Sequence, residues 1–128
     1  MLITAIPQYL QGITNAKVDL TTTNNTTIYT APSNADFNVS VITSILVSND
    51  SGSNDTITVT LTDTASAIFS VYKLEEIGAL STKELLINSL VLKGGEVLKA
   101  QAATAGRLHV IASIQEINKI RVNTSAIS

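Results

Sequence analysis

The clearest pattern along the chain is the strict alternation of apolar and polar residues in DTITVTLT, at positions 55–62. Successive side chains of a strand point to opposite faces of a sheet, so this segment predicts a strand with one buried face. A second apolar run, at 39–47, precedes it across the polar stretch 48–55. Asn, Asp, Ser and Gly dominate that stretch, and these residues favour tight turns. The two runs are therefore interpreted as the strands of a β-hairpin.

Further strands are predicted on both sides of this hairpin. The β-branched and aromatic residues at 26–30 indicate a short strand, which Pro32 ends because proline cannot donate a backbone hydrogen bond. The run 37–48 is long and changes parity, which indicates a bulge near Thr43. Apolar residues near helical spacing make 74–86 an alternative helix, although a glycine there disfavours it. Additional strands are expected at 14–20, 67–74, 80–87, 90–92, 97–103 and 107–117.

These elements together predict an all-β fold. About eight strands, with turn signals about every 8–12 residues, are typical of an antiparallel β-sandwich of Greek-key or jelly-roll kind. A chain of 128 residues has the size of one domain. We expect the β-sandwich at 14–117, a short N-terminal arm at 1–13 and a short C-terminal arm at 118–128.

Composition narrows the classes of function. Only 14% of the residues are charged, the net charge is −2, and the basic residues are scattered along the chain. Nucleic-acid binding needs clustered basic residues, so no nucleic-acid partner is expected. No apolar run reaches the roughly 20 residues that span a bilayer, and the start MLITAI lacks the basic residues of a secretory signal, so no membrane partner is expected. Because the chain has no cysteine, neither a disulfide nor a thiolate metal site can form.

His109 is the one histidine of the sequence and the first candidate for chemistry. It lies inside the last predicted strand, without the further imidazoles or thiolates that complete a zinc site. A Ser-His-Asp relay could use only His109 as its base, and no nucleophile-elbow sequence surrounds it. We therefore interpret it as a residue of an exposed strand face or as a hydrogen-bonded packing residue.

Three other segments superficially match known sites. The stretch 49–55 is rich in side-chain oxygens, but it lacks the later glutamate and the flanking helices of an EF-hand. Glu75 and Glu76 are adjacent, so their carboxylates would diverge in a strand. Residues 93–95, Lys-Gly-Gly, lack the spacing of a phosphate-binding loop. We therefore expect no catalytic, cofactor-binding or metal-binding residue, and we interpret the protein as a non-enzyme.

Three motifs occur in an order that resembles a known group of proteins. They are IYTAPSN at 28–34, TSILVSNDSGSNDTITVTL at 43–61, and VLKGGEVLKAQAATAGRLHVIASIQEI at 91–117. This series of strand and turn motifs is similar to that of small β-sandwich virion structural proteins of tailed bacteriophages, of the capsid-decoration, head-fibre or tail type. The resemblance covers residues 26–117 and carries over no catalytic residue.

The resemblance implies a capsid decoration protein, made in the host cytoplasm and bound to the outside of the assembled head. The expected partners are the major capsid protein or other virion proteins, and further copies of the chain, with a trimer favoured by fold analogy. One alternative is a tail or head–tail component, including a tail-fibre adhesion module, which the low aromatic content of 4% disfavours. Another is a hydrolase on a jelly-roll scaffold, which would require His109 to meet paired carboxylates in a pocket.

Overall fold

The computed structural model describes residues 11–34 and 37–118. Nine strands form in this part of the chain, and it contains no helix that could cross a membrane. The predicted all-β sandwich is confirmed, with nine strands in place of about eight. Most of both predicted arms lies outside the described residues. The strands are β1 (Gln11–Asp19), β2 (Thr26–Thr30), β3 (Phe37–Asn49), β4 (Asp55–Thr62), β5 (Ile68–Ile77), β6 (Thr82–Glu84), β7 (Leu90–Lys93), β8 (Val97–Ala102) and β9 (Leu108–Asn118).

Two antiparallel sheets make up the sandwich. Sheet A has the order β1-β9-β3-β6, with β7 also paired to β3, and sheet B has the order β2-β8-β4-β5. The pairs β1·β9, β2·β8, β3·β7 and β4·β5 are nested in sequence, as in one long hairpin folded over itself. The pairs β3·β9 and β4·β8 join these units side by side. This double-sheet arrangement is a jelly roll.

The core lies between the sheets and is aliphatic. Ile45 and Val47 of sheet A and Ile57, Val59 and Leu98 of sheet B have no exposed surface. Burying one such side chain stabilises the fold by roughly 1.5–3 kcal/mol. Since these residues alternate with outward-facing ones, the period of two in the sequence determines which face of each strand enters the core.

The predicted hairpin between 39–47 and 55–62 is wrong. β3 pairs with β6, β7 and β9 in sheet A, whereas β4 pairs with β5 and β8 in sheet B. The polar stretch between them therefore crosses from one sheet to the other. A crossing loop needs the same turn-forming residues as a hairpin loop, so local composition does not distinguish the two.

The predicted bulge near Thr43 is confirmed, because the register of β3 against β9 shifts between Ile42 and Ser44. Beyond the bulge, the backbone N–H of Ile45 donates to the Glu84 carboxylate at 2.7 Å, and the Ser44 hydroxyl donates to the same carboxylate. Burial alone would raise the pKa of Glu84, but these hydrogen bonds outweigh burial and hold that pKa below its ordinary value. Glu84 therefore fixes the irregular part of β3 in place.

Three strands have a boundary three residues away from the expected one. The first is β1, which begins at Gln11, inside the predicted arm 1–13. The strand predicted at 80–87 shrinks to β6, and the alternative helix at 74–86 does not form. Leu80 has a φ of 53°, in the left-handed region that a strand does not use. β5 instead runs on to Ile77, three residues beyond the end predicted for its strand at 74.

The two ends of the sandwich can be distinguished by the chain segments that lie there. Gln11 lies opposite Ile117, and Asn118 lies opposite Phe37. The first and last described residues are therefore at the same end, here called the terminal end. The connections 20–25, 50–54, 78–81 and 103–107 form the opposite end, here called the loop end.

Candidate functional site

His109 lies at the loop end, where two carboxylates approach it from neighbouring elements. Its Nε2 atom is 3.1 Å from Asp50 Oδ2 in the β3–β4 loop and 3.9 Å from Asp19 Oδ1 on β1. Between 43% and 69% of each of the three side chains is exposed. In a catalytic Ser-His-Asp relay the aspartate is buried. This group is therefore an open surface ion pair when the histidine is protonated, and the exposed-face interpretation of His109 fits its position.

A shallow groove of about 310 Å³ lies beside this group. Its lining consists of Ser48, Asn49, Asp50 and residues 80–82. Asp50 is the one titratable side chain among these lining residues, whereas acid–base chemistry normally uses two groups of different pKa. The groove offers hydroxyl, amide and backbone groups that suit contact with a polar surface.

The side chain of Asn49 organises the loop that crosses between the sheets. Asn49 is 2% exposed, and its Oδ1 accepts hydrogen bonds from the Ser51 N–H and the Ser51 hydroxyl, at 2.9 and 2.8 Å. Its Nδ2 donates to the carbonyl oxygens of Ser53 and Ile77, at 2.8 and 3.1 Å. These bonds give the oxygen-rich stretch a structural explanation that needs no cation.

The same loop is fastened to the β8–β9 turn. The Asp55 carboxylate accepts hydrogen bonds from the N–H groups of Thr56 and Thr104, at 2.9 and 3.2 Å. Arg107 Nη1 donates to the carbonyl oxygen of Asn54 at 3.0 Å. Among the residues described, no three or more His, Cys, Asp or Glu side chains are arranged to hold a metal ion. The loop end is thus bound together by its own polar groups.

The adjacent glutamates of β5 diverge, as expected for neighbouring residues of a strand. Glu75 forms an ion pair with Lys83 of β6, and Glu76 is exposed. In the same region the Tyr72 hydroxyl donates to the carbonyl oxygen of Leu85. Glu75 and Tyr72 therefore tie one edge of sheet B to sheet A, and Glu75 has a structural role.

The Lys93-Gly94-Gly95 segment is the turn from β7 to β8. Gly95 has a φ of +88°, and a Cβ atom on Gly94 would lie 2.9 Å from Ser33 Cβ. Both glycines therefore meet backbone requirements, one for a left-handed conformation and one for close packing. The segment is a structural turn, in line with the missing phosphate-loop spacing.

A partly buried polar cluster near the terminal end joins the two sheets. The Tyr29 hydroxyl of β2 donates to Glu116 Oε2 of β9 at 2.5 Å, and the Ser40 hydroxyl of β3 lies 2.9 Å from it. Since the phenol has a single proton, the Ser40 hydroxyl is the donor in the second bond. Burial, followed by the hydrogen bond to Glu116, raises the pKa of Tyr29 to about 12. No local sequence pattern reveals this cluster, because its members are up to 87 positions apart.

The outer face of sheet A carries exposed aliphatic side chains. Directly opposite residues of antiparallel strands share a face, so the register defines rows across this sheet. One row contains Lys17, Ile111, Leu46 and Glu84, and another contains Ile13, Gln115, Val41 and Val91. Ile13, Val91, Ile111 and Leu46 are 81, 54, 42 and 38% exposed. A row of Asn15, Ser113 and Ser44 lies between these two.

The outer face of sheet B is polar along β4 and β8, whereas its edge strand β5 carries the exposed Ile68 and Leu74. Thr58, Lys99 and Gln101 alternate with buried residues of β4 and β8 and therefore point away from the core, and Thr60 lies on the same side of β4 but is only 8% exposed. Leu74 borders this face, in a shallow groove with Thr58 and Gln101. The alternation in 55–62 predicted this threonine surface correctly.

Comparisons with known proteins show the fold. No protein-family model and no curated protein matches the chain. A protein of Bacillus endospore appendages, described as a novel family of disulfide-linked pili, is 11% identical with a TM-score of 0.54, over 94% of this chain and 96% of that chain. A pentameric capsid protein from metagenomic phage sequences is 18% identical with a TM-score of 0.48, over 86% of this chain and 62% of that chain. A structure of infectious bursal disease virus, Gx strain, is 10% identical with a TM-score of 0.49, over 91% and 33% of the two chains.

The likeness to the spore-appendage protein extends over nearly the whole of both chains and shows a shared β-fold. That protein belongs to disulfide-linked pili, whereas this chain has no cysteine. Any assembly of this chain must therefore depend on non-covalent contacts or on bonds of another kind.

Proposed function

We propose that the protein is a structural component of a phage virion, and that it decorates the outside of the assembled head. The proposal is supported by the resemblance of residues 26–117 to small virion β-sandwich proteins and by the jelly-roll topology, which viral capsid domains also use. It also accords with a surface of low charge, since few charges must be desolvated when such a surface packs against neighbours. The protein then acts by binding, and it is not an enzyme.

The observation that carries the proposal is that the first and last described residues lie at the same end of the body. Gln11 and Asn118 emerge at the terminal end, so the segments 1–10 and 119–128 both continue from there. Two segments at one end can hold a body on a shell by adding strands to exposed sheet edges of the shell protein. The loop end, which Asn49 and Asp55 close, then faces away from the shell.

A decoration protein stabilises a shell because it binds the assembled form more tightly than the free subunits. The test is co-sedimentation of the purified protein with expanded capsids of the phage that carries its gene, and with unassembled shell protein. We expect binding to the capsids and at least tenfold weaker binding to the free subunits, a difference of about 1.4 kcal/mol. Equal binding to both would overturn the proposal.

Two deletions and one control variant test the anchoring segments. Removal of 1–10 or of 119–128 is expected to weaken capsid binding while circular dichroism shows an intact body. Gly52→Arg is the matched control, because a Cβ atom at Gly52 meets nothing within 4 Å and the residue lies at the loop end. Undiminished binding after both deletions would contradict the anchoring role. Antibody labelling confined to the tails of intact virions would instead select a tail or adhesion component.

A further inference from the structure

We propose that two copies of this chain pack their sheet A outer faces against each other about a two-fold axis parallel to the strands. This inference concerns the free protein and does not rest on the virion proposal. It starts from the exposed Ile13, Leu46, Val91 and Ile111, which share one face of one sheet. Clustered aliphatic side chains on a surface mark a site of interaction.

The axis follows from the order of strands in sheet A. A two-fold axis that lies in the interface and runs along the strands exchanges the two sides of the sheet and keeps each residue at its own row. β9 of one copy then faces β3 of the other, and β1 faces the edge formed by β6 and β7. Such an interface is isologous, so every contact occurs twice.

This arrangement matches residues of the same kind. In one row, Ile111 faces the partner's Leu46, and Lys17 faces the partner's Glu84. Another row brings Ile13 against the partner's Val91. Three of the four residue pairs in these two rows therefore match in kind, and the exception is Gln115, which faces the partner's Val41.

The other charges on the face also avoid like partners. Asp19 and His109 share a row with Ser48 and Thr82, so each of them meets a hydroxyl of the partner. Lys93 lies at the rim of the described sheet. Among the described residues of this face, no two like charges are brought together, which is the arrangement that a specific interface requires.

The alternative two-fold axis, perpendicular to the strands, gives poorer matches. It reverses the order of the rows, so Lys17 would face the partner's Ile13 and Glu84 would face the partner's Val91. Each charge would then lose water against an aliphatic side chain, without a compensating partner. Charge complementarity therefore favours the axis along the strands. A two-fold axis relates two copies, so we infer a dimer and not the trimer expected from fold analogy.

The middle row of the face permits close approach. Asn15, Ser113 and Ser44 are small or short polar residues, so they do not hold apart two sheets that pack about 10 Å from each other. Four strands about 4.8 Å apart and about 30 Å long give a footprint of roughly 600 Å² per copy. That is below the ~800 Å² of a standard interface, so we expect micromolar affinity.

The test is sedimentation velocity of the 128-residue chain between 1 and 100 µM, a range that extends about tenfold on either side of a dissociation constant of about 10 µM. We expect a monomer–dimer equilibrium in the wild type. Leu46→Glu should raise the dissociation constant at least tenfold. Leu74→Glu is the matched control, because Leu74 is 63% exposed and borders the outer face of sheet B, and it should leave the constant unchanged.

Charge variants test the axis itself. Lys17→Glu would place two acidic residues opposite each other and should weaken the dimer more than Lys17→Ala does. Lys99→Glu, on the outer face of sheet B, is the control and should have no effect. A wild type that stays monomeric at 100 µM, a trimer, or equal weakening by Leu46→Glu and Leu74→Glu would each overturn the two-fold pair.

Discussion

Sheet A and sheet B enclose one core, but they present unlike surfaces on their outer sides. The outward residues of β4 and β8 are threonine, lysine and glutamine, and the exposed apolar residues of sheet B lie on its edge strand β5. By contrast, β3, β7 and β9 of sheet A carry exposed leucine, valine and isoleucine. Both sets alternate with buried aliphatic residues. The inward residues of a strand therefore determine the fold, and the outward residues determine whether that face meets water or another protein.

The largest expected effect separates the inner and outer sides of one strand. Ile45 and Leu46 are neighbours in β3, with exposed fractions of 0 and 38%. Ile45→Ala should lower the free energy of unfolding by about 2–5 kcal/mol, because it leaves a cavity in the core. Leu46→Ala should change it by no more than about 0.5 kcal/mol. Urea denaturation at about 0.1 µM, roughly a hundredfold below a dissociation constant of about 10 µM, where almost all chains are monomeric, measures both. Equal losses would contradict the assignment of the two faces.

The sequence carried this distinction only in part. The strict alternation of 55–62 determines which residues of the strand face the core, so it predicts both the strand and its threonine face. The run 39–47 has apolar residues on both faces of its strand. Its sequence therefore does not distinguish the outward Val41 and Leu46 from the core residues. A strand with two apolar faces is predicted to be buried on both sides. The sequence does not indicate whether the second face packs against the same chain or against another molecule.

The pairing of strands was harder to predict than the strands themselves. The loop from β3 to β4 contains the same turn-forming residues as a hairpin loop. Only the pairing of strands that are distant in sequence shows that this loop crosses between the sheets. His109 meets Asp19 and Asp50, and Tyr29 meets Glu116, across large separations in sequence. No local pattern marks such contacts, because the register of non-adjacent strands creates them.

The second prediction concerns the threonine face of sheet B. Thr60 Oγ1 is buried without a hydrogen-bond partner among the described residues, whereas Thr58 Oγ1 accepts a hydrogen bond from the Leu74 N–H at 3.1 Å. Thr60→Val should therefore stabilise the protein by about 1 kcal/mol, and Thr58→Val should destabilise it by about 1 kcal/mol. Thermal denaturation of the two variants measures the difference. A loss of stability in both would show that Thr60 has a partner.

The third prediction tests the link between the two sheets at the terminal end. The pKa of Tyr29 is raised from 10.0 to about 12 in the folded state, so the protonated phenol stabilises the fold. That contribution is complete below pH 10 and is lost as the pH rises through 12. Tyr29→Phe should remove this part of the stability that the wild type loses at alkaline pH. The measurement is the free energy of unfolding of variant and wild type as a function of pH. Identical slopes between pH 10 and 12 would contradict it.

The smallest effect is expected at the edge of sheet A, where Glu84 holds the bulge. Its pKa is lowered in the folded state, so its contribution is present above the ordinary carboxyl value and is lost as the pH falls through the lowered pKa. Glu84→Gln should flatten the acid side of the stability profile. Glu76→Gln, at an exposed position of β5, is the matched removal of one carboxylate. An equal change in both variants would exclude a special role for Glu84.

Hydroxyl-radical footprinting of the unmodified protein, read by mass spectrometry of its peptides, tests the difference between the two outer faces most directly. Samples below and far above the dissociation constant of the dimer are compared at Leu46 and Ile111 on sheet A, and at Leu74 and Ile68 on strand β5 of sheet B. We expect the first pair to become protected at high concentration while the second pair keeps its reactivity. Equal protection of both pairs, or protection of the sheet B pair alone, would contradict the assignment of sheet A as the contact surface.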